Sequence, residues 1–338
     1  MRLNMVTIRE FSHVVDLLDR FAAPEIVDGA LLSAGLDRSV LKEKAGFAPY
    51  AAEGVVVEAV ARSVGDRHLG ARVGHAFDYS TYGAYATYVL GAPDLGSALE
   101  RGRRALVLTH PGSSITFRQT GSHLVVGRDS RGLTITGHRH LDEGTVFVIG
   151  AVARHFLGSG WVPDWVEIPD EPRNCIETLE RLVGAPVRVR AGPPGIAIRL
   201  SELPTLNPDV SHRQDKIALQ DLAGLMGVSP VQTVADVVEH ILRITFAHGD
   251  VSEESVARHL AIGPRTLQRA LRREGTSFRD VRAGFAEKNA RHLVARTDRP
   301  LEEISSMLGY KHPRSFRRAF KSWTGVSPSG YRANPPGA

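Results

Sequence analysis

Between Lys311 and Lys321, six of the eleven residues are basic if His312 is counted, and Phe316, Ala319, Phe320 and Trp323 recur through this stretch at helical spacing. A helix with that pattern has two chemically different faces. The apolar stripe needs a core to pack against. The opposite face displays Arg314, Arg317, Arg318 and Lys321. Guanidinium and ammonium groups held in a fixed array suit the phosphates and base edges of double-stranded DNA.

The pattern occurs twice. SEESVARHLAIGPRTLQRALRREGTSF, residues 252–278, aligns with LEEISSMLGYKHPRSFRRAFKSWTGVSP, residues 301–328, at a spacing of 48 to 50 residues. Val256 matches Ile304, Leu260 matches Leu308, Leu267 matches Phe316, Ala270 matches Ala319 and Leu271 matches Phe320. In the first copy Arg265, Thr266, Gln268, Arg269 and Arg272 are left facing outward. Each copy reads as a short helix, a tight turn and a second helix, a helix-turn-helix. Ser252 is placed to cap the first, and Ala261-Ile262-Gly263-Pro264 to stop it, with Gly263 permitting the turn. In the second copy Pro300, Gly309-Tyr310 and Pro313 hold the corresponding places. Between them, FRDVRAGFAEKNARHLVAR predicts one spacer helix spanning roughly 28 Å. Two recognition helices on such a spacer can enter successive major-groove segments about 34 Å apart.

The elements that must carry this array divide the chain in two. Residues 231–338 contain 18 Lys and Arg against 11 Asp and Glu, although the whole chain has a net charge of only +5. The basic part is therefore the C-terminal third, whose pattern is helical throughout. Residues 1–205 mix helical stretches (EGVVVEAVARSV, LGSALERGRRALVL, LDEGTVFVIGAVARHFLG) with strand-like ones (SSITFRQ, SHLVVGRD, VRVRAGPPGIAIRL) and read as an α+β domain. Residues 206–230 read as a linker, with SHRQDKIALQDLAGLM as a connecting helix. The predicted fold is an α+β sensor domain followed by an all-α DNA-binding domain with two helix-turn-helix units joined by a spacer helix.

Several functions are disfavoured. No apolar run is long enough for a membrane span, and the N-terminus lacks a secretory pattern, so a cytoplasmic protein is expected. A lone cysteine, Cys175, supplies neither a disulfide nor a thiolate zinc site. G-x-S-x-G, H-E-x-x-H and a phosphate-binding glycine loop are missing, and no enzyme, cofactor or catalytic residue is expected. His138, His140 and His155 read as surface or loop histidines instead of metal ligands.

One aromatic stripe is a candidate place for a small-molecule effector. Tyr79, Tyr82, Tyr85 and Tyr88 recur every three residues, one drifting stripe if helical. Two readings stand: a ligand pocket, or packing against the sheet or a partner subunit. His110, Arg118 and Arg139 are candidates to hold an anionic effector.

The last hundred residues resemble the DNA-binding domain of the AraC/XylS family of bacterial transcription regulators, on VARHLAIGPRTLQRALRREGTSF and LEEISSMLGYKHPRSFRRAFKSWTGVSPSGYR. The first two hundred resemble the arabinose-binding-like domain of the subgroup that includes ornithine and arginine regulators, on LLSAGLDRSVL, HLGARVG, YGAYATYVLGAPDLGSALERGRRAL and LVGAPVRVRAGPPGIAIRLSELP. The resemblance implies base reading by Arg265, Gln268, Arg269, Arg314, Arg317 and Arg318; Arg272 and Lys321 sit later in their helices, where phosphate contact is expected. The resemblance further implies an effector, a homodimer and contact with RNA polymerase, activation being the commoner mode in the family. The alternative is a ligand-independent repressor or architectural DNA binder.

Overall fold

The computed structural model describes residues 3–42, 46–130, 133, 135–169, 173–209, 217–229, 231–246 and 251–334. Its backbone separates into two compact units, one within residues 3–231 and one within residues 232–334.

The first unit opens with β1 (Met5–Thr7), α1 (Ile8–Leu18), α2 (Pro24–Ser33), α3 (Arg38–Lys42), β2 (Phe47–Pro49), α4 (Tyr50–Val64) and α5 (Leu69–Ala76). β1 and β2 pair antiparallel, Met5 opposite Pro49. A 3-10 turn (Tyr79–Tyr82), α6 (Ala84–Leu90) and α7 (Leu95–Ala105) follow, then β3 (Ser114–Thr120), β4 (His123–Asp129), α8 (His138–Leu157), β5 (Val166–Ile168), α9 (Arg173–Val183), β6 (Val187–Val189), β7 (Gly195–Arg199) and α10 (Leu219–Met226). The connecting helix expected over 211–226 is described only for that last stretch; residues 210–216 lie outside the described residues.

Five strands form one sheet in the order β3-β4-β7-β5-β6, antiparallel except for the β5–β6 pair. Side chains alternate across it with period two. Val126, Ile196 and Ile198 face the core shared with Val146, Ile149 and Ala153 of α8, whereas Val125 and Ala197 pack on Trp165. α8 also packs against α5. Their approach is set by glycine: a Cβ on Gly70 would lie 2.4 Å from the His140 backbone, and one on Gly74 2.7 Å from Gly144 Cα.

The second unit is helical in all its described residues: α11 (Val234–Thr245), α12 (Glu253–His259), α13 (Pro264–Arg273), α14 (Phe278–Arg296), α15 (Leu301–Met307), α16 (Pro313–Thr324) and α17 (Pro328–Ala333). Thr233 and Asp236 form a capping box on α11, and Ser252, Ser277 and Ser327 cap α12, α14 and α17 with side-chain oxygens. Ala286, Ala290 and Val294 of α14 meet Ile304, Leu308, Phe316, Phe320 and Tyr331 in one core.

The turn between α12 and α13 differs from the sequence expectation. Gly263 is extended, with φ −77°, and Ala261 takes the left-handed conformation, with φ 53°. Among the described residues it is the one non-glycine with positive φ. The matching residue of the second copy is Gly309, with φ 71°. An L-residue in this region costs about 1–2 kcal/mol, of which glycine's freedom when unfolded returns part. Ala261→Gly should therefore raise unfolding stability by roughly 0.5–1 kcal/mol. Gly309→Ala should lower it by about 1–3 kcal/mol, because its Cβ would also lie 2.3 Å from Val251. Denaturant melts of both variants check the pair; equal effects would show that the turn does not discriminate.

Candidate DNA interface and ligand cavity

On α13, Leu267, Ala270 and Leu271 are buried, Thr266 is half-buried, and Arg265, Gln268, Arg269 and Arg272 are exposed. On α16, Phe316 and Phe320 are buried, Ala319 and Trp323 half-buried, and Arg314, Arg317, Arg318 and Lys321 exposed. The Phe320 ring meets Tyr331 edge-on at 5.2 Å, so these aromatics belong to the core and are not available to stack on bases. The two helices share a further detail. Gln268 donates to Glu253 at 3.1 Å and Arg317 to Glu302 at 2.7 Å, each glutamate fifteen residues earlier in the preceding helix. Exposed pairs of this kind contribute little stability, but they narrow the conformations of the side chain they hold.

The first unit encloses a cavity of about 50 Å³ lined by Tyr79, Tyr82, Tyr85, His110, Arg128 and Thr145 together with apolar side chains of α7 and α8. The tyrosines do not stand on one helix, as their spacing suggested. Tyr79 and Tyr82 lie in the 3-10 turn, Gly83 reverses the chain at φ 57°, and Tyr85 is the second residue of α6. Neighbouring rings nevertheless touch, with centroids 5.2 and 5.4 Å apart. Tyr88 does not line the cavity; Arg101 lies over its ring.

Arg128 is the charged wall of this cavity. It sits on β4 at the same parity as Leu124 and Val126 and opposite Ile115, so it points into the core. Its guanidinium donates to Thr145 Oγ1 at 2.5 Å and to the Tyr50 hydroxyl, and reaches His110 Nε2 at 2.9 Å. Burial, opposed by Glu10 and reinforced by Arg128, holds the His110 imidazole below its ordinary range.

Residues 27–204, more than half of the chain, match the model of the arabinose-binding domain of AraC transcription regulators, N-terminal. The chain belongs to the AraC family of transcription regulators. Residues 256–334 match a helix-turn-helix domain model. The ornithine utilization regulator of Pseudomonas aeruginosa is 39% identical over 82 residues, covering 24% of each chain. The HTH-type regulator VirS of Mycobacterium tuberculosis is 32% identical over 101 residues, 30% of each. These alignments thus span 24% and 30% of the relatives' length. The crystal structure of the regulator CdpR from P. aeruginosa aligns over 78% of this chain and 86% of its own, with 21% identity and a TM-score of 0.37.

In this AraC-type chain the fold brings together four of the five residues singled out for an effector: Tyr79, Tyr82, Tyr85 and His110. Arg118 is not among them. Three residues from Ile115 on β3, it has the opposite parity and lies on the other face of the sheet, where it pairs with Glu167 at 2.5 Å and Thr120 at 2.6 Å. Arg139 faces Glu58 and Glu143 instead. Arg128, which the sequence reading passed over, is marked by a legible signal: an arginine at an inward position of HLVVGRD. Among the described residues no helix is long and apolar enough to cross a membrane, and no cluster of three His, Cys, Asp or Glu side chains could hold a metal ion.

The histidines of α8 are not loop residues. His138, His140 and His155 all lie on the helix, and His140 is buried, accepting from the Gly70 N–H at 3.2 Å and facing Glu58 at 3.1 Å. Burial, with Arg139 beside it, lowers its pKa from 6.5 to about 4. Between those values the unfolded chain takes up a proton that the folded chain refuses. The contribution is therefore full above pH 6.5 and falls as the pH drops toward 4, by at most about 1.4 kcal/mol per pH unit. Glu53, held above the carboxylate range by burial and by Glu10, acts in the opposite sense, losing stability as pH rises. The difference between wild type and His140→Gln isolates the histidine. Urea melts from pH 7.5 to 4.5 should show a shallower acid loss in the variant; identical slopes would contradict this.

Proposed function

We propose that this chain is a ligand-responsive transcription regulator that reads one asymmetric site on double-stranded DNA through two helix-turn-helix units, α12–α13 and α15–α16, carried on the spacer helix α14. Residues 1–205 sense the effector and self-associate, 206–230 link, and 231–338 bind DNA. Arg265, Gln268, Arg269, Arg314, Arg317 and Arg318 reach base edges, and Arg272 and Lys321 reach phosphates, with Thr266 beside them at the start of α13. The observation that carries this reading is the repeat in three dimensions. On the second helix of each copy the core pairs Leu267/Phe316 and Leu271/Phe320 are buried, the outward arginines are exposed, and the equivalent Gln268 and Arg317 each bond a glutamate of the preceding helix.

The nineteen residues of α14 rise about 28 Å, near the 34 Å between successive major-groove segments. For the effector, support comes from the cavity and from α10. Leu222 of α10 is buried in the core that holds Tyr82 and Tyr85, and Tyr82 also lines a second hollow with Leu225, Met226 and Val228. An occupant that moves Tyr82 therefore moves the segment leading to the DNA reader. We further propose a homodimer acting in the cytoplasm and, by the habit of the family, activation through RNA polymerase.

Residues 231–338 contain both recognition helices and their cores. Expressed alone, that fragment should fold and bind DNA upstream of its own gene without effector, while the full chain sediments as a dimer. An unfolded fragment would refute the division, and a monomer at micromolar concentration would refute self-association.

A further inference from the structure

Three ionisable side chains are buried around the tyrosine cavity and the hollow beside it, and no ion pair joins any two of them. Arg128, Glu10 and Glu53 are 7%, 4% and 5% exposed. Arg128 Nε, Glu10 Oε2 and Glu53 Oε2 each have no hydrogen-bond partner among the described residues. Both Arg128 Nη1 and Glu10 Oε1 are aimed at one atom, His110 Nε2, at 2.9 and 3.1 Å. That nitrogen can accept from the arginine or donate to the glutamate, but not both. Ionisable groups buried in this condition destabilise the fold, and apolar residues of the same size would make a more stable core.

The arrangement has two poles. Arg128, Thr145 and Val148 form the border between the tyrosine cavity and a second cavity of about 40 Å³ that Glu10 and Glu53 line. A planar guanidinium with a free Nε–H matches a carboxylate. Two carboxyl groups that each hold one unpartnered oxygen match an ammonium group, which has three N–H donors to share between them. Resting on the effector-sensing role proposed above, we infer that the paired cavities bind a short amino-acid zwitterion. Its carboxylate sits on Arg128, its ammonium between Glu10 and Glu53, and its carbon stem against Val148. Cavities of about 50 and 40 Å³ restrict the ligand to a compact one.

Calorimetry and thermal melts of the full chain test this with L-alanine, β-alanine and 4-aminobutyrate, using propionate, butyrate and butylamine as one-ended controls. At least one zwitterion should bind and raise the melting temperature, at least tenfold tighter than its one-ended counterparts. Glu53→Gln should bring its affinity down to that of the carboxylate alone. Arg128→Met, or Arg128→Gln if the first fails to fold, should abolish binding of both zwitterion and carboxylate. If no zwitterion binds, or a one-ended control binds as tightly, the inference is overturned. Binding of the same samples to DNA upstream of the gene separates two failures. Intact DNA binding without zwitterion preference removes only the ligand class, whereas loss of DNA binding in wild type removes the regulator reading itself.

Discussion

Gly70→Ala is expected to destabilise the first unit by about 2 kcal/mol or more. In an open helix the change would help, since alanine is the better helix former by up to about 1 kcal/mol. Here the new Cβ would lie 2.4 Å from His140 Cα and its carbonyl oxygen, and backbone cannot rotate away as a side chain can. α5 and α8 would have to separate, taking with them the bond from the Gly70 N–H to His140 and that from the Ala71 N–H to Glu143. Gly29→Ala, in α2 with nothing within 4 Å of its Cβ, is the matched control and should be neutral or stabilising. Equal melting temperatures for the two variants would show that the glycine contact does not set the helix spacing.

How much of this was legible depends on how local the signal is. The repeated unit could be read directly, because its core positions recur within thirty residues and helical spacing separates them from the arginines. The segment 278–296 reads as one helix and is one. The cavity is a different case. Its charged groups come from α1, α4, β4 and the stretch after α7, and residues as far apart as Glu10 and Arg128 meet at His110. Only the tyrosines are neighbours in sequence, and even they needed Gly83 to turn the chain between them. β1, β2 and β5 are three residues long, too short to show a period. HLGARVG shows two glycines four apart, but what they approach is seventy residues away.

The second large effect concerns DNA. Arg269 and Arg318 occupy equivalent exposed positions, each just before the core alanine of its helix. Replacing either by alanine should cost on the order of 1–3 kcal/mol on the preferred site and relax base preference in one half of it only. Lys321→Ala should weaken all sequences about equally and make the salt dependence shallower by about one unit, since a phosphate contact carries no base information. Gln268 and Arg317, held by Glu253 and Glu302, should lose less on removal of the glutamate than on removal of the side chain itself.

The central claim is that one chain reads DNA with two separate units, and binding of Arg269→Ala and Arg318→Ala to a randomised operator library at two salt concentrations tests it most directly. The two variants should relax different blocks of bases, with centres about one helical turn apart. If they alter the same positions, or neither alters any, the two units do not read DNA separately and the second serves as a scaffold.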